Sequence, residues 1–148
     1  MPVRDICNRN VVVTGRDTTV SDGATLMRNM HIGDLVVAET DDDNRPIGLV
    51  TDRDIVVEVV AAGLDPTSLT VGDIMSDSIE SVRGDKDFWD ALDHMRQRGI
   101  RRQPIVDAQG DLEGILTLDD ALGLVGEAID SLSGLIRNEV EREMSRLD

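Results

Sequence analysis

The chain of 148 residues holds one cysteine, Cys7, two aromatic side chains, Phe88 and Trp89, and half as many basic residues as acidic ones. A single cysteine excludes an internal disulfide. With His31 and His94 far apart along the chain, no structural zinc set of cysteine and histidine can be read either, which removes the basis for a zinc enzyme. So few aromatics leave a core of aliphatic side chains. Fifteen Lys and Arg against thirty Asp and Glu give a formal charge of -15. Such a charge repels nucleic-acid backbones and anionic membranes at long range, and otherwise marks a solvated surface. Nucleic acid and membrane are therefore not expected partners. No apolar run reaches transmembrane length and no charged-then-apolar leader opens the sequence, so a cytoplasmic location is expected. No serine, cysteine or lysine sits in a nucleophile motif and no carboxylate pair follows a catalytic signature, which argues against an enzyme.

What is present is a globular composition, 40% hydrophobic and 30% charged, in a length that suits one domain or two small units sharing a core. The chain is internally repeated. "VRDIC" at 3–7 matches "VGDIM" at 71–75, and the same shift of sixty-eight residues sets Asp17 on Asp85, Val20 on Phe88, Asp22 on Asp90, "MR" on "MR" and Ile32 on Ile100. The register then slips by two in the polar turn "ETDDDNRP", 39–46, against "DAQGDLE", 107–113, where insertions are tolerated. "TDDDN" within it lacks the ligand spacing of a calcium loop and reads as an exposed turn. His31 and His94 read as surface residues near the first helix of each copy.

Each copy predicts the same order. A short strand (11–14; 79–82) leads to a helix (21–30; 88–98), and two further strands (35–39 and 47–50; 103–107 and 114–116) lead to a second helix. The two copies are expected to pack face to face about a pseudo-twofold axis, with ligand sites in the clefts between them. The segment "IVVEVVAA", 55–62, is β-branched but follows a threonine cap and ends at Gly63, which predicts a helix. It is apolar nearly all round, so the other repeat or a second subunit must cover it.

"GLVTDRD" at 48–54 returns as "GILTLDD" at 114–120, and each places Thr-x-x-Asp at a strand-to-helix junction. Thr51 with Asp54, and Thr117 with Asp120, have the spacing of a capping box, in which each side chain satisfies a free backbone amide. The same geometry offers free amides and a positive dipole to an anion, and a carboxylate one turn in to a pair of hydroxyls. The spacing leaves both readings open.

The paired Thr-x-x-Asp motifs, the two lead-ins and "GIRRQPIVD" at 99–107 resemble a tandem cystathionine β-synthase (CBS) domain pair, or Bateman module, across about residues 1–126. The stretch from "GLVTDRDI" through "AAGLDP" to "VGDIM" is similar to small stand-alone members of that family. The resemblance implies an α/β (α+β) fold of two β-α-β-β-α repeats with pseudo-twofold symmetry. It also implies regulatory binding of an adenosine-containing ligand such as AMP, ADP or ATP, less often NAD or S-adenosylmethionine, with no prosthetic group. On this reading Asp54 and Asp120 hold ribose hydroxyls, Thr51 and Thr117 touch ribose or phosphate, and neighbouring aliphatic side chains sandwich the adenine. Arg101 and Arg102 match positions that are basic in phosphate-binding members, and Arg53 supplies one more cation at the first helix start. Arginine's planar fork suits phosphate. Gly33 and Asp34 occupy the matching places in copy one, so two equal nucleotide sites are not expected.

The order divides the chain into repeat 1 at 1–70, repeat 2 at 71–126 and a tail at 127–148. Apolar residues at 122, 125, 129, 132, 136, 140 and 144 predict a long amphipathic helix, weakened by Gly123, Gly126 and Gly134 and supported by Glu139–Arg142 and Glu143–Arg146 pairs. It is expected to share itself between the module and a dimer contact. Members of the family commonly dimerise through their second helices, which makes 55–62 and the region 121–125 the candidate homodimer interface; a target protein is implied but not named by the sequence. The competing reading is an interaction module whose Thr-x-x-Asp boxes do nothing but cap helices.

Overall fold

The computed structural model describes residues 1–76 and 79–147, and each copy builds one three-stranded sheet. β1 (Val13–Gly15) runs parallel to β2 (Asp34–Ala38), which pairs antiparallel with β3 (Gly48–Thr51). β4 (Val82–Arg83), β5 (Arg102–Val106) and β6 (Leu112–Thr117) repeat that order and those directions. The parallel pairs require crossovers, supplied by α1 (Val20–Met30) and α4 (Phe88–Arg98). Thr19 caps α1 by accepting from the Asp22 amide, and Asp87 caps α4 by accepting from the Trp89 amide. Both helices end on a left-handed residue at equivalent positions, Gly99 at φ 65° and His31 at φ 54°. Histidine takes that conformation at a steric cost that glycine avoids.

Alternation along the strands gives each sheet two buried faces. Leu35, Val37 and Val50 pack with Met27 of α1, while Ile105 and Leu116 pack with Phe88, Ala91 and Met95 of α4. Val36, Pro104 and Ile115 are also buried but point the other way, to where the two sheets meet. The joint is closed by backbone and side-chain bonds between Asn44 and Leu112, by a bridge between Asn8 and Ile115, and by an ion pair between Asp34 and Arg102.

The two lead-ins change places. Val3 and Cys7 belong to the core of the second sheet, whereas Val71, with Ile74 and Met75 around it, belongs to the core of the first. The Val3 amide donates to Lys86 O at 2.8 Å and the Arg4 amide to Gly84 O at 3.0 Å, while Val71 and Gly72 donate to Thr18 O and Arg16 O. This explains the glycine that opens each Thr-x-x-Asp motif. A Cβ on Gly114 would lie 2.7 Å from both the Asn8 carbonyl and Cys7 Sγ, and one on Gly48 would run into Met75 Sδ. Burial under this lead-in also pushes the Cys7 thiol up from its ordinary pKa.

Several expectations need correction. The first strands begin later than 11–14 and 79–82, at Val13 and Val82, although the Val36 amide still donates to Val12 O at 3.0 Å. The helix expected at 55–62 begins at Asp52: a turn of α-helix, Asp52–Ile55, continues as a π-wound segment, Val56–Val60, and the two form α2. Within this chain the other repeat does not cover it. Val59 is buried, but Val56, Val57 and Val60 are exposed. After α3 (Val71–Ile74), the last helix, α5, runs unbroken from Leu118 to Leu147 through all three glycines. It packs on the module through Ala121 and Leu124, and beyond Val125 its apolar side chains are exposed instead of sharing the module's surface. Asp148, the end of the expected tail, lies outside the described residues. Among the described residues no helix is long and apolar enough to cross a membrane.

Candidate functional site

Both Thr-x-x-Asp motifs form local hydrogen bonds at helix starts. At α2 the box is complete: Asp54 N–H donates to Thr51 Oγ1 at 3.2 Å, and Thr51 N–H donates to Asp54 Oδ2 at 2.9 Å. At α5 the Asp120 amide donates to Thr117 Oγ1 at 3.1 Å, but the carboxylate Oδ2 accepts from the Thr117 hydroxyl at 2.7 Å. These bonds use one oxygen of each carboxylate. Oδ1 is left able to accept from a ligand, so capping and binding are compatible.

Each motif faces a cleft completed by the other copy. Thr51 and Asp54 open on a cavity of about 230 Å³ whose remaining walls include Ile79, Ile100, Arg101, Arg102 and Pro104. Thr117 and Asp120 open on one of about 280 Å³, walled by Asn8, Asp34 and Asp119 and edged by the same two arginines. The motif of copy one thus meets Ile100, Arg101, Arg102 and Pro104 of copy two, and the motif of copy two meets Asn8 and Asp34 of copy one. Thr51, Asp54, Arg101 and Arg102 are brought together. Arg53 is not: its side chain is exposed and lines neither cleft.

Chemically the clefts differ in two ways. The Asp54 cleft adds Leu49 to Ile79, Ile100 and Pro104 and so presents aliphatic surface on which a flat heterocycle could rest, whereas the Asp120 cleft is mostly polar, with Leu118 as its apolar residue. The charges differ as well. Glu80, at the edge of the Asp54 cleft, is already paired with Arg98 and His94, both at 2.8 Å. Arg101 is exposed and enters none of the ion pairs among the described residues, so its charge is uncommitted at an edge the two clefts share. The Asp120 cleft gathers Asp34, Asp119 and Asp120. Asp34 and Arg102 are equivalent residues sixty-eight apart, joined Nε to Oδ2 at 2.6 Å, so their bond lies where the pseudo-axis passes between the clefts.

Sequence reasoning missed the wall behind Glu80. Gln103 is fully buried, its amide nitrogen donating to Glu80 O at 3.1 Å and lying 2.6 Å from His94 Nδ1. His94 is therefore not a plain surface residue; it ties α4 to the segment that lines the Asp54 cleft. A glutamine in the middle of an otherwise apolar strand was the available signal, since a buried amide needs partners.

The repeated sheet–helix unit, the exchanged lead-ins and the two clefts define a tandem domain pair. The CBS domain family model matches twice, at residues 3–61 and 71–127, and the chain belongs to the CBS-domain family. It is 38% identical over 117 residues to Hypoxic response protein 1 of Mycobacterium tuberculosis, covering 79% of this chain and 80% of that one. An uncharacterised protein of Methanopyrus kandleri is 38% identical over 120 residues, 81% of this chain, which spans 60% of that relative's length. Among solved structures, that of Hypoxic Response Protein I with two coordinated zinc ions superposes with a TM-score of 0.71 at 37% identity, over 82% of this chain and 97% of that one. A CBS domain protein from Pyrobaculum aerophilum complexed with AMP gives a TM-score of 0.73 at 27% identity, over 81% and 89%.

Proposed function

We propose that the chain is a regulatory ligand-sensing module that binds an adenosine-containing nucleotide in the Asp54 cleft. The observation that carries this reading is the meeting, in one cavity, of a carboxylate with a spare oxygen, an aliphatic platform and an uncommitted arginine. Asp54 would take the ribose hydroxyls, Ile79, Ile100 and Pro104 the base, and Arg101 the phosphate, with Thr51 at the helix start beside it. Arg102 would help once drawn from Asp34. The AMP complex of the Pyrobaculum aerophilum relative supports the ligand class. The Asp120 cleft, with Thr117, would take an uncharged adenosine derivative or stay without a nucleotide, because three carboxylates oppose a phosphate. The module would act in the cytoplasm, by binding rather than catalysis, as a homodimer that passes ligand occupancy to a target protein. Calorimetric titration with AMP, ADP, ATP, NAD and S-adenosylmethionine tests it. Heat with at least one, lost in Asp54→Ala and kept in Asp120→Ala, is the expected result; no heat with any at millimolar concentration overturns it.

The complete capping box at Thr51 and Asp54 favours a second reading, an interaction module that binds no ligand. It predicts that Thr51→Ala lowers the melting temperature while no nucleotide raises it. A melting temperature that climbs with nucleotide concentration excludes that reading.

A further inference from the structure

α5 leaves the module as a bare helix. Its thirty residues extend about 45 Å, yet past Val125 one copy offers it no packing. Isolated helices interrupted by glycine are marginal in water, so a helix of this kind needs a partner along its apolar side. Ile129, Leu132, Ile136, Val140 and Met144 are 49–64% exposed and follow each other at three- and four-residue steps. That stripe reads almost the same in both directions about the Leu132–Ser133 junction: Ile129 mirrors Ile136, Val125 mirrors Val140 and Leu122 mirrors Met144 to within one residue. Charge is distributed in the opposite sense. The first half of α5 carries acids alone, Asp119, Asp120, Glu127 and Asp130, while the second half balances Arg137, Arg142 and Arg146 against Glu139, Glu141 and Glu143, so a parallel pair would set two acid-only halves together and an antiparallel pair would not. A second α5 laid antiparallel sets apolar against apolar and each arginine-bearing half beside an acid-only half.

The place where the second half of such a partner would arrive is already shaped. Beside the first half of α5 runs an apolar groove of about 410 Å³ between the helix and Met1, Phe88 and Trp89. Trp89 is 61% exposed, its ring set edge-on to Phe88 at 5.1 Å, an unusual position for the chain's one tryptophan. Its equivalent in repeat 1 is Ser21, and α2 stops at Val60, so the groove has no twin. We propose that two copies associate through antiparallel α5 helices crossing near Leu132, with the second half of each lying along the Trp89 groove of the other. This rests on the self-association proposed above and not on nucleotide binding.

Sedimentation equilibrium of the full chain, with Trp89 emission recorded on dilution, tests it. The expected result is a dimer whose dissociation constant rises about 30-fold or more in Leu132→Asp and in Met144→Asp, with emission shifted to the red in both. In a Cys7→Ala background, Leu132→Cys should cross-link to itself and Met144→Cys should not, though it should cross-link to Leu122→Cys in mixed samples. A monomer at tens of micromolar overturns both self-association and the helix pairing. A dimer indifferent to Leu132→Asp, or self-linked through Met144→Cys, overturns the pairing and leaves self-association standing. The substituted residues are exposed in the single copy, so the fold does not depend on them.

Discussion

The two clefts descend from one pattern and have come to hold different chemistry. Both carry a threonine and an aspartate at a helix start, and both are roofed by the strand lead of the other copy. Leu49, Ile79, Ile100 and Pro104 line the Asp54 cleft, whereas the Asp120 cleft has Asp34, Asp119 and Leu118, and Arg101 and Arg102 edge both. The aliphatic wall of the first suits a flat anionic ligand, and the added carboxylates of the second oppose one. The lesson is that in a cross-built pair the motif does not by itself decide what its own cleft binds; the residues facing it do. Arg101 and Arg102 stand on the edge of both clefts, so the difference rests on what surrounds them.

That contrast can be broken by design. The largest expected effect is on binding: Asp54→Ala should weaken the nucleotide about 100-fold, while Asp120→Ala changes it less than about threefold, both read by calorimetry. Next comes packing at the glycines. Gly114→Ala meets a backbone carbonyl that cannot move and should cost about 2–3 kcal/mol in urea unfolding; Gly48→Ala meets the flexible Met75 side chain and should cost about 1 kcal/mol. Arg101→Ala should weaken AMP about tenfold but leave adenosine nearly unchanged, and the AMP difference should shrink in high salt. Smaller again is Asp34→Asn. It frees Arg102 from a partly exposed ion pair, so melting should fall slightly while AMP binds a few-fold tighter. Equal effects of Asp54→Ala and Asp120→Ala would erase the distinction between the clefts.

Much of this was legible in residues. The internal repeat, sixty-eight residues apart before the polar turn and sixty-six after it, located both motifs, and the repeat order matched the sheets because short β-branched runs between turns leave little alternative. Asp34, Arg101 and Arg102 were singled out by the same comparison. What could not be read was which cleft they serve. That follows from the exchange of lead-ins and the facing of the two sheets, which are long-range packing facts that leave no periodicity in the sequence. The fate of α5 was hidden for another reason: an amphipathic stripe states that something covers it, not whether that is the module or a second chain. Arg53 lines neither cleft, and spacing along a helix start does not say which way its turn faces. Gln103 went unnoticed and His94 was read as a surface residue because each is ordinary until a fold places them together.

The exchanged lead-ins also dictate how the molecule is made. On the ribosome the first sheet has no lid until residues 71–75 emerge, and residues 3–7 stay unhoused until β6 follows, since Val3 bonds near Lys86 and packs beside Leu116. Contacts of such sequence separation slow folding and bind its steps together. The first sheet can close once residues 71–75 are out, but a cut between residues 61 and 71 leaves each piece carrying the lid of the other's sheet, so neither piece should fold by itself.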